Sequence, residues 1–165
     1  MSSSIDRFMA QQGFGEEDAA RRRWHFGALQ FQPAFLAFFV LLGIISQSPT
    51  LFFVLAAVLV WNVVLPHLNV FERLYDWVIG GPMSKPKLDP APAPRRFAQG
   101  MAATFMAIAG MALATGWLIV AYVFQAFLVI ALAALLAGKF CMGSYIFHTL
   151  QGRSDFANST CPWSK

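Results

Sequence analysis

The chain has 165 residues, of which 58% are hydrophobic and 12% charged, and its mean hydropathy is +0.56. Soluble domains carry about 25% charged residues, so the polar surface that would cover a globular core is missing and an integral membrane protein is expected. The net charge of +4 does not point to nucleic acid, because the basic residues flank apolar runs, as membrane topology requires.

The charges fall in three blocks, Asp6 to Arg23, Glu72 to Arg96 and Lys139 to Lys165. The 48 residues from Trp24 to Phe71 and the 42 from Phe97 to Gly138 carry none. A membrane-crossing helix needs about 20 residues for a hydrocarbon core of about 30 Å, so each stretch has room for two crossings and a turn.

In chain order, residues 1–24 form a cytoplasmic N-terminal segment. Glu16-Glu17-Asp18 before Arg21-Arg22-Arg23 places acids and bases as a helix dipole favours. The segment reads either as a solvated stub that sets orientation or as a docking arm for another subunit or anionic headgroups. Residues 25–68 form a first transmembrane hairpin, with helices at about 27–46 and 51–67 around Ser46-Gln47-Ser48-Pro49-Thr50. Pro33 interrupts the first of these: the helix either begins earlier and kinks, or a short segment dips in at a tilt.

Residues 69–96 hold a short amphipathic interfacial helix and a Pro-rich cytoplasmic linker. Asn69 can cap that helix, with Glu72 three residues on, and Phe71, Leu74, Tyr75 and Val78 share a face. Proline at 86, 90, 92 and 94 favours an extended strap. Residues 97–150 form a second transmembrane hairpin, with helices at 97–115 and 119–138 around Thr115-Gly116-Trp117; the last is expected to continue past Lys139 to about Leu150. Residues 151–165 form a cytoplasmic tail. The expected fold is thus an all-α integral membrane protein with four transmembrane helices as two antiparallel hairpins. All twelve Lys/Arg then lie on one side, which puts both termini in the cytoplasm of a bacterial inner membrane. No cleaved signal peptide is read at the start.

Two small-residue stripes can let helices approach closely: Gly100, Ala103, Ala107, Gly110 and Ala114, and then Ala131, Ala134, Gly138 and Cys141. They are expected to face each other. No charged residue lies inside a proposed span apart from Lys139 near a helix end, which disfavours pumps and ion-coupled transporters. Asn62, Thr104 and Gln125 are read as interhelical hydrogen-bonding residues. No catalytic group and no metal site is read. No cofactor is predicted, although haem or a chlorophyll-type pigment would need His25, His67 or His148 as its ligand. Bound lipids are expected. Cys141 is either a packing residue or a reactive thiol, and Cys161 lies in the polar tail beside an Asn158-Ser159-Thr160 triplet that a cytoplasmic position would leave unglycosylated.

Pro94-Arg95-Arg96-Phe97-Ala98-Gln99-Gly100, Lys139-Phe140-Cys141-Met142-Gly143-Ser144-Tyr145 and, upstream, Phe71-Glu72-Arg73-Leu74-Tyr75 resemble segments of DUF4395, a family of small bacterial membrane proteins of unknown function. The resemblance covers roughly the second half of the chain. The family pattern is Cys-x-Gly-Cys, and here Ser144 stands in the place of the second cysteine. The pattern implies a two-thiol redox or metal role, and with Ser144 in place the disulfide of such a pair cannot close.

The functional expectation is a non-catalytic accessory or assembly subunit of a larger membrane complex, respiratory or photosynthetic for example. Its partners would be lipids and other membrane subunits, met through the Phe-rich first hairpin (Phe35, Phe38, Phe39, Phe52, Phe53) and the cytoplasmic arms. The alternative is a membrane thiol or sulfur-handling protein centred on Cys141.

Overall fold

A computed structural model describes residues 4–15, 19–80 and 90–161, and among them every regular element is helical. The helices are α1 (Ser4–Gln12), α2 (Ala19–Ser46), α3 (Pro49–Val64), α4 (Val70–Tyr75), α5 (Ala93–Ala114), α6 (Leu118–Leu136), α7 (Met142–Leu150) and α8 (Ser154–Ser159). Trp24–Ser46 within α2, α5 and α6 are each long and apolar enough to cross a membrane. With 16 residues, α3 is about 24 Å long at 1.5 Å per residue, short of a core of about 30 Å. Three clear candidate spans therefore stand where four were expected.

Local chemistry sets the helix ends. Helix α2 runs through Pro33 without a break from Ala19, so the earlier start is the one adopted and no short dipping segment forms. It ends at Gln47, whose φ of 45° lets the Ser48 N–H reach the Gly43 carbonyl and the Gln47 N–H reach Ile44. Ser48 then caps α3 by accepting from the Leu51 N–H, and Pro49 opens it. Pro66 stops α3, since the residue before a proline is disfavoured in helix. Gly116, at φ 77°, ends α5 with the same pair of bonds, Trp117 N–H to Ala112 and Gly116 N–H to Leu113. Asn69 caps α4 through the Phe71 and Glu72 N–H groups, as its sequence predicts. A π turn, Asp76–Gly80, follows. Residues 85–89 of the expected proline strap lie outside the described residues; from Pro90 to Pro92 no regular element forms, and Pro92 is extended. Its last part is helix, because α5 begins at Ala93 rather than 97.

The expected extension of the fourth long helix to Leu150 does not form. Helix α6 stops at Leu136, Lys139 takes φ 48°, and the Phe140 N–H returns to the Ala134 carbonyl. A Cβ at Gly138 would stand 2.7 Å from that carbonyl oxygen, so the break needs the glycine.

The long helices close into a ring: α2 packs on α3, α3 on α5, α5 on α6 and α6 on α2. Phe52 of α3 is fully buried, between Gly43 of α2 and Gly110 of α5. A Cβ at either glycine would come within 3.2–3.3 Å of it. In lipid this close approach, more than dehydration, is the source of packing energy. The same contact puts the α2–α3 and α5–α6 turns at one end of the ring.

Shorter elements gather at the other end. Helix α1 packs against α2, α5 and α7, with Phe8, Met9, Gln11 and Gln12 buried. It is folded into the bundle rather than extended into solvent. Helix α8 folds onto α7, where Phe156 meets the His148 ring at 4.8 Å and Tyr145 donates to Asn158 at 2.9 Å. Cys161, expected in a polar tail, is buried, and burial pushes its thiol pKa up.

Candidate functional site

Three pieces of chain that are distant in sequence meet at this second end. Arg95 stands at the start of α5, because Pro92-Ala93-Pro94 opens the helix before it. Its guanidinium is buried and donates to Gln32 Oε1 of α2 at 2.7 Å. The same Nη2 lies 3.5 Å from Glu72 Oε1 of α4. One helical turn on, Gln99 Nε2 donates to the same Gln32 oxygen at 3.0 Å. Gln99 Oε1 is buried and has no hydrogen-bond partner among the described residues. Burial raises the pKa of Glu72 and outweighs the opposing pull of Arg95, while Asp76 pushes the same way as burial.

This cluster forms the polar end of a chamber of about 320 Å³. The polar wall is Gln12, Gln32, Arg95 and Gln99, with the Cys141 thiol beside them; most of the remaining wall, from α2, α3, α5, α6 and α7, is apolar. Cys141 is buried and its backbone N–H donates to Gln11 Oε1 at 2.9 Å. Gly143 brings α7 against α5 so closely that a Cβ there would stand 2.6 Å from the Ala98 Cα. Ser144, in the place of the family pattern's second cysteine, is fully buried with its hydroxyl unpaired, and it is not among the chamber-lining residues.

The predicted site residues are distributed as follows. In the α5 stripe, Ala103 and Gly110 are buried, Ala107 is half-buried against the core, Ala114 is exposed, and nothing stands within 4 Å of a Cβ built on Gly100. Gly110 faces Pro49, Phe52 and Phe53 of α3, not α6. In the other stripe, Ala131 lines the chamber, Ala134 is half-buried, and Gly138 is exposed in the break after α6. His25 is buried beside the Phe14 ring at 5.3 Å, His67 is exposed, and His148 Nε2 lies 3.1 Å from the Gln11 carbonyl, to which it can donate. Asn62 accepts from the Val70 N–H at 3.1 Å, which ties α3 to the start of α4. Thr104 bonds within its own helix, and Gln125 is buried with its Nε2 unpaired.

Sequence reading missed Arg95, Gln32 and Glu72 as site residues. The missed signal was Pro94: proline favours the first turn of a helix, so the span begins early enough to carry Arg95 and Gln99 inward on one face.

A ring of long apolar helices around a polar-ended chamber defines the class as a helical membrane protein. The chain belongs to the family described as Domain of unknown function (DUF4395), whose family model matches residues 27–152. The match reaches well beyond the second half, to the start of the first candidate span. The three segments that carry the resemblance supply Glu72, Arg95 with Gln99, and Cys141, and these meet at the chamber's polar end. Comparisons with curated proteins and with solved structures give no match.

Proposed function

We propose that the protein binds a small molecule within the membrane, in the chamber bounded by Arg95, Gln99 and Cys141, and that it works by binding rather than turnover. One observation carries this reading: a mostly apolar chamber, within the about 300–1,000 Å³ range of ligand sites, ends in a buried acceptor, Gln99 Oε1, that no donor among the described residues satisfies. A buried unsatisfied polar atom costs about 1–3 kcal/mol, and a ligand donor would offset that cost. Among the described residues, no His, Asp or Glu lines the chamber. The thiol-handling alternative keeps its place within this reading, since Cys141 is the one thiol among the described wall residues.

The accessory-subunit expectation rests on the Phe-rich first hairpin and the cytoplasmic arms. Of the five Phe, Phe38 and Phe53 are exposed, Phe35 and Phe39 are half-buried and Phe52 is fully buried in the bundle, and lipid covers the exposed ones as well as a partner would. The interior is the more specific feature. In the proposed topology α3 serves as a short fourth crossing, which local bilayer thinning accommodates, the helices form two antiparallel hairpins, and both termini lie in the cytoplasm of a bacterial inner membrane. The support is the charge map: no Lys or Arg lies between Trp24 and Phe71 or between Phe97 and Gly138, the two stretches that hold the turns.

The test is reaction of Cys141 with N-ethylmaleimide in membranes, in a Cys161→Ser background. Filling the chamber with Ala131→Phe or Ala102→Phe is expected to slow modification at least about tenfold, the effect of about 1.4 kcal/mol. Equal rates in all three proteins would overturn the reading.

A further inference from the structure

We propose that the chamber's ligand is a single-chain amphiphile with a neutral, hydroxyl-bearing head, and that it enters sideways from the bilayer because α1 closes the aqueous end. This rests on the binding reading above and names its ligand class.

The shape argues for one chain. The wall runs along α5 from Arg95 to Met106, a rise of about 16 Å at 1.5 Å per residue. A volume of about 320 Å³ spread over that length is narrow, and apart from the one end it is apolar.

The charge state argues for a neutral head. Arg95 already faces Glu72 and donates to Gln32. A second carboxylate or a phosphate would be buried without a free counter-charge, which is strongly unfavourable. Among the described chamber-lining side chains, the unmet capacity is the acceptor Gln99 Oε1. A hydroxyl supplies the missing proton donor.

The boundaries of the chamber argue for the route. At one boundary stands α1. Phe8 and Gln12 are part of the wall and are almost fully buried. The helix is held at two points on one residue: Gln11 Oε1 accepts the Cys141 N–H, and the Gln11 carbonyl lies 3.1 Å from His148 Nε2. After α1 the chain turns at Gly13, φ 97°, directly over Pro92, where a Cβ would be 2.8 Å from the proline ring. At the other boundary Phe127, Ile130 and Met142 line the chamber and are also 49%, 55% and 39% exposed on the outer surface. Phe127 and Ile130 lie near the middle of α6, a candidate span, so the outer surface there faces acyl chains.

The experiment uses the full chain in phosphatidylcholine vesicles with two diazirine-bearing photoprobes of equal length, dodecan-1-ol and dodecanoic acid, at pH 8. Crosslinks are mapped by peptide mass spectrometry. The alcohol is expected to label chamber-lining peptides of α5 and α6, and Gln99→Leu to reduce that labelling about fivefold, the loss of one hydrogen bond of about 1 kcal/mol. Ala131→Phe, or Ala102→Phe if the first does not fold, should abolish it. The acid is expected at background. In a Cys161→Ser background, a sulfonated water-soluble maleimide should modify Cys141 at least about tenfold more slowly than N-ethylmaleimide, and Gln11→Ala should narrow the gap. Labelling by the acid equal to that by the alcohol overturns the neutral-head assignment while binding stands. Equal rates for the two maleimides overturn the lateral route. Chamber labelling by neither probe overturns the ligand class, and it overturns the binding reading as well if chamber-filling variants also leave N-ethylmaleimide rates unchanged.

Discussion

The two ends of the helix ring are built by different means. At the turn end, Gln47, Ser48, Pro49 and Gly116 act on their immediate neighbours, and the bonds that close the turns span three to five residues. At the polar end, Arg95 reaches Gln32 across a separation of 63 residues and Cys141 reaches Gln11 across 130. The first end is governed by local backbone chemistry. The second depends on the whole chain being folded, and the chamber lies beside it. Function is therefore expected to be sensitive to substitutions at the polar end and tolerant of them at the turns.

The largest effect should come from breaking the buried pair. Arg95→Met leaves Glu72 buried without its partner and should cost about 3–5 kcal/mol, read as a large fall in thermal midpoint by tryptophan fluorescence in detergent. The double variant Glu72→Leu/Arg95→Met should recover most of that loss, because it leaves no uncompensated charge. Next is Gly143→Ala, whose new Cβ would collide with the Ala98 backbone and should cost about 1–3 kcal/mol of overpacking strain. At the turn end, Gly116→Ala forces an L-residue to φ 77° and should cost about 1–2 kcal/mol, with no change in Cys141 reactivity. A loss of thiol protection in that variant would break the distinction between the two ends.

The smallest effect is a pH dependence. Burial raises the Glu72 pKa above its ordinary 4.5, so the folded state holds that proton to higher pH than the unfolded chain does. The contribution is present in full below 4.5 and is lost as pH rises through the folded value. Thermal midpoints of the wild type should therefore carry a downward component with rising pH in that window, and Glu72→Gln should remove it. An unchanged slope in the variant would assign the dependence to another group.

The same contrast explains what the sequence discloses. Ser48-Pro49 and Gly116 mark turns in any context, and Asn69 caps α4 as its spacing from Glu72 indicates, so the long helices and the short one are legible. The break after α6 was missed because Gly138 continues a small-residue spacing, whereas its actual role is to let Lys139 reverse the chain. The site was less legible still. Arg95 reads as linker until Pro94 is recognised as a helix opener, and Gln32 looks like an incidental polar residue beside Pro33. Nothing local in residues 4–12 indicates that Phe8 and Gln12 wall a chamber, since amphipathic patterning is the same for a helix that meets protein, solvent or headgroups.

The central claim is occupancy of the chamber, and native mass spectrometry of the protein released from its own membranes in mild detergent tests it directly. A low-mass adduct is predicted on the wild-type chain, retained in Gly116→Ala and lost in Ala131→Phe. Bare protein in the wild type that acquires no adduct when dodecan-1-ol is added, or an adduct that persists undiminished in Ala131→Phe, would contradict it.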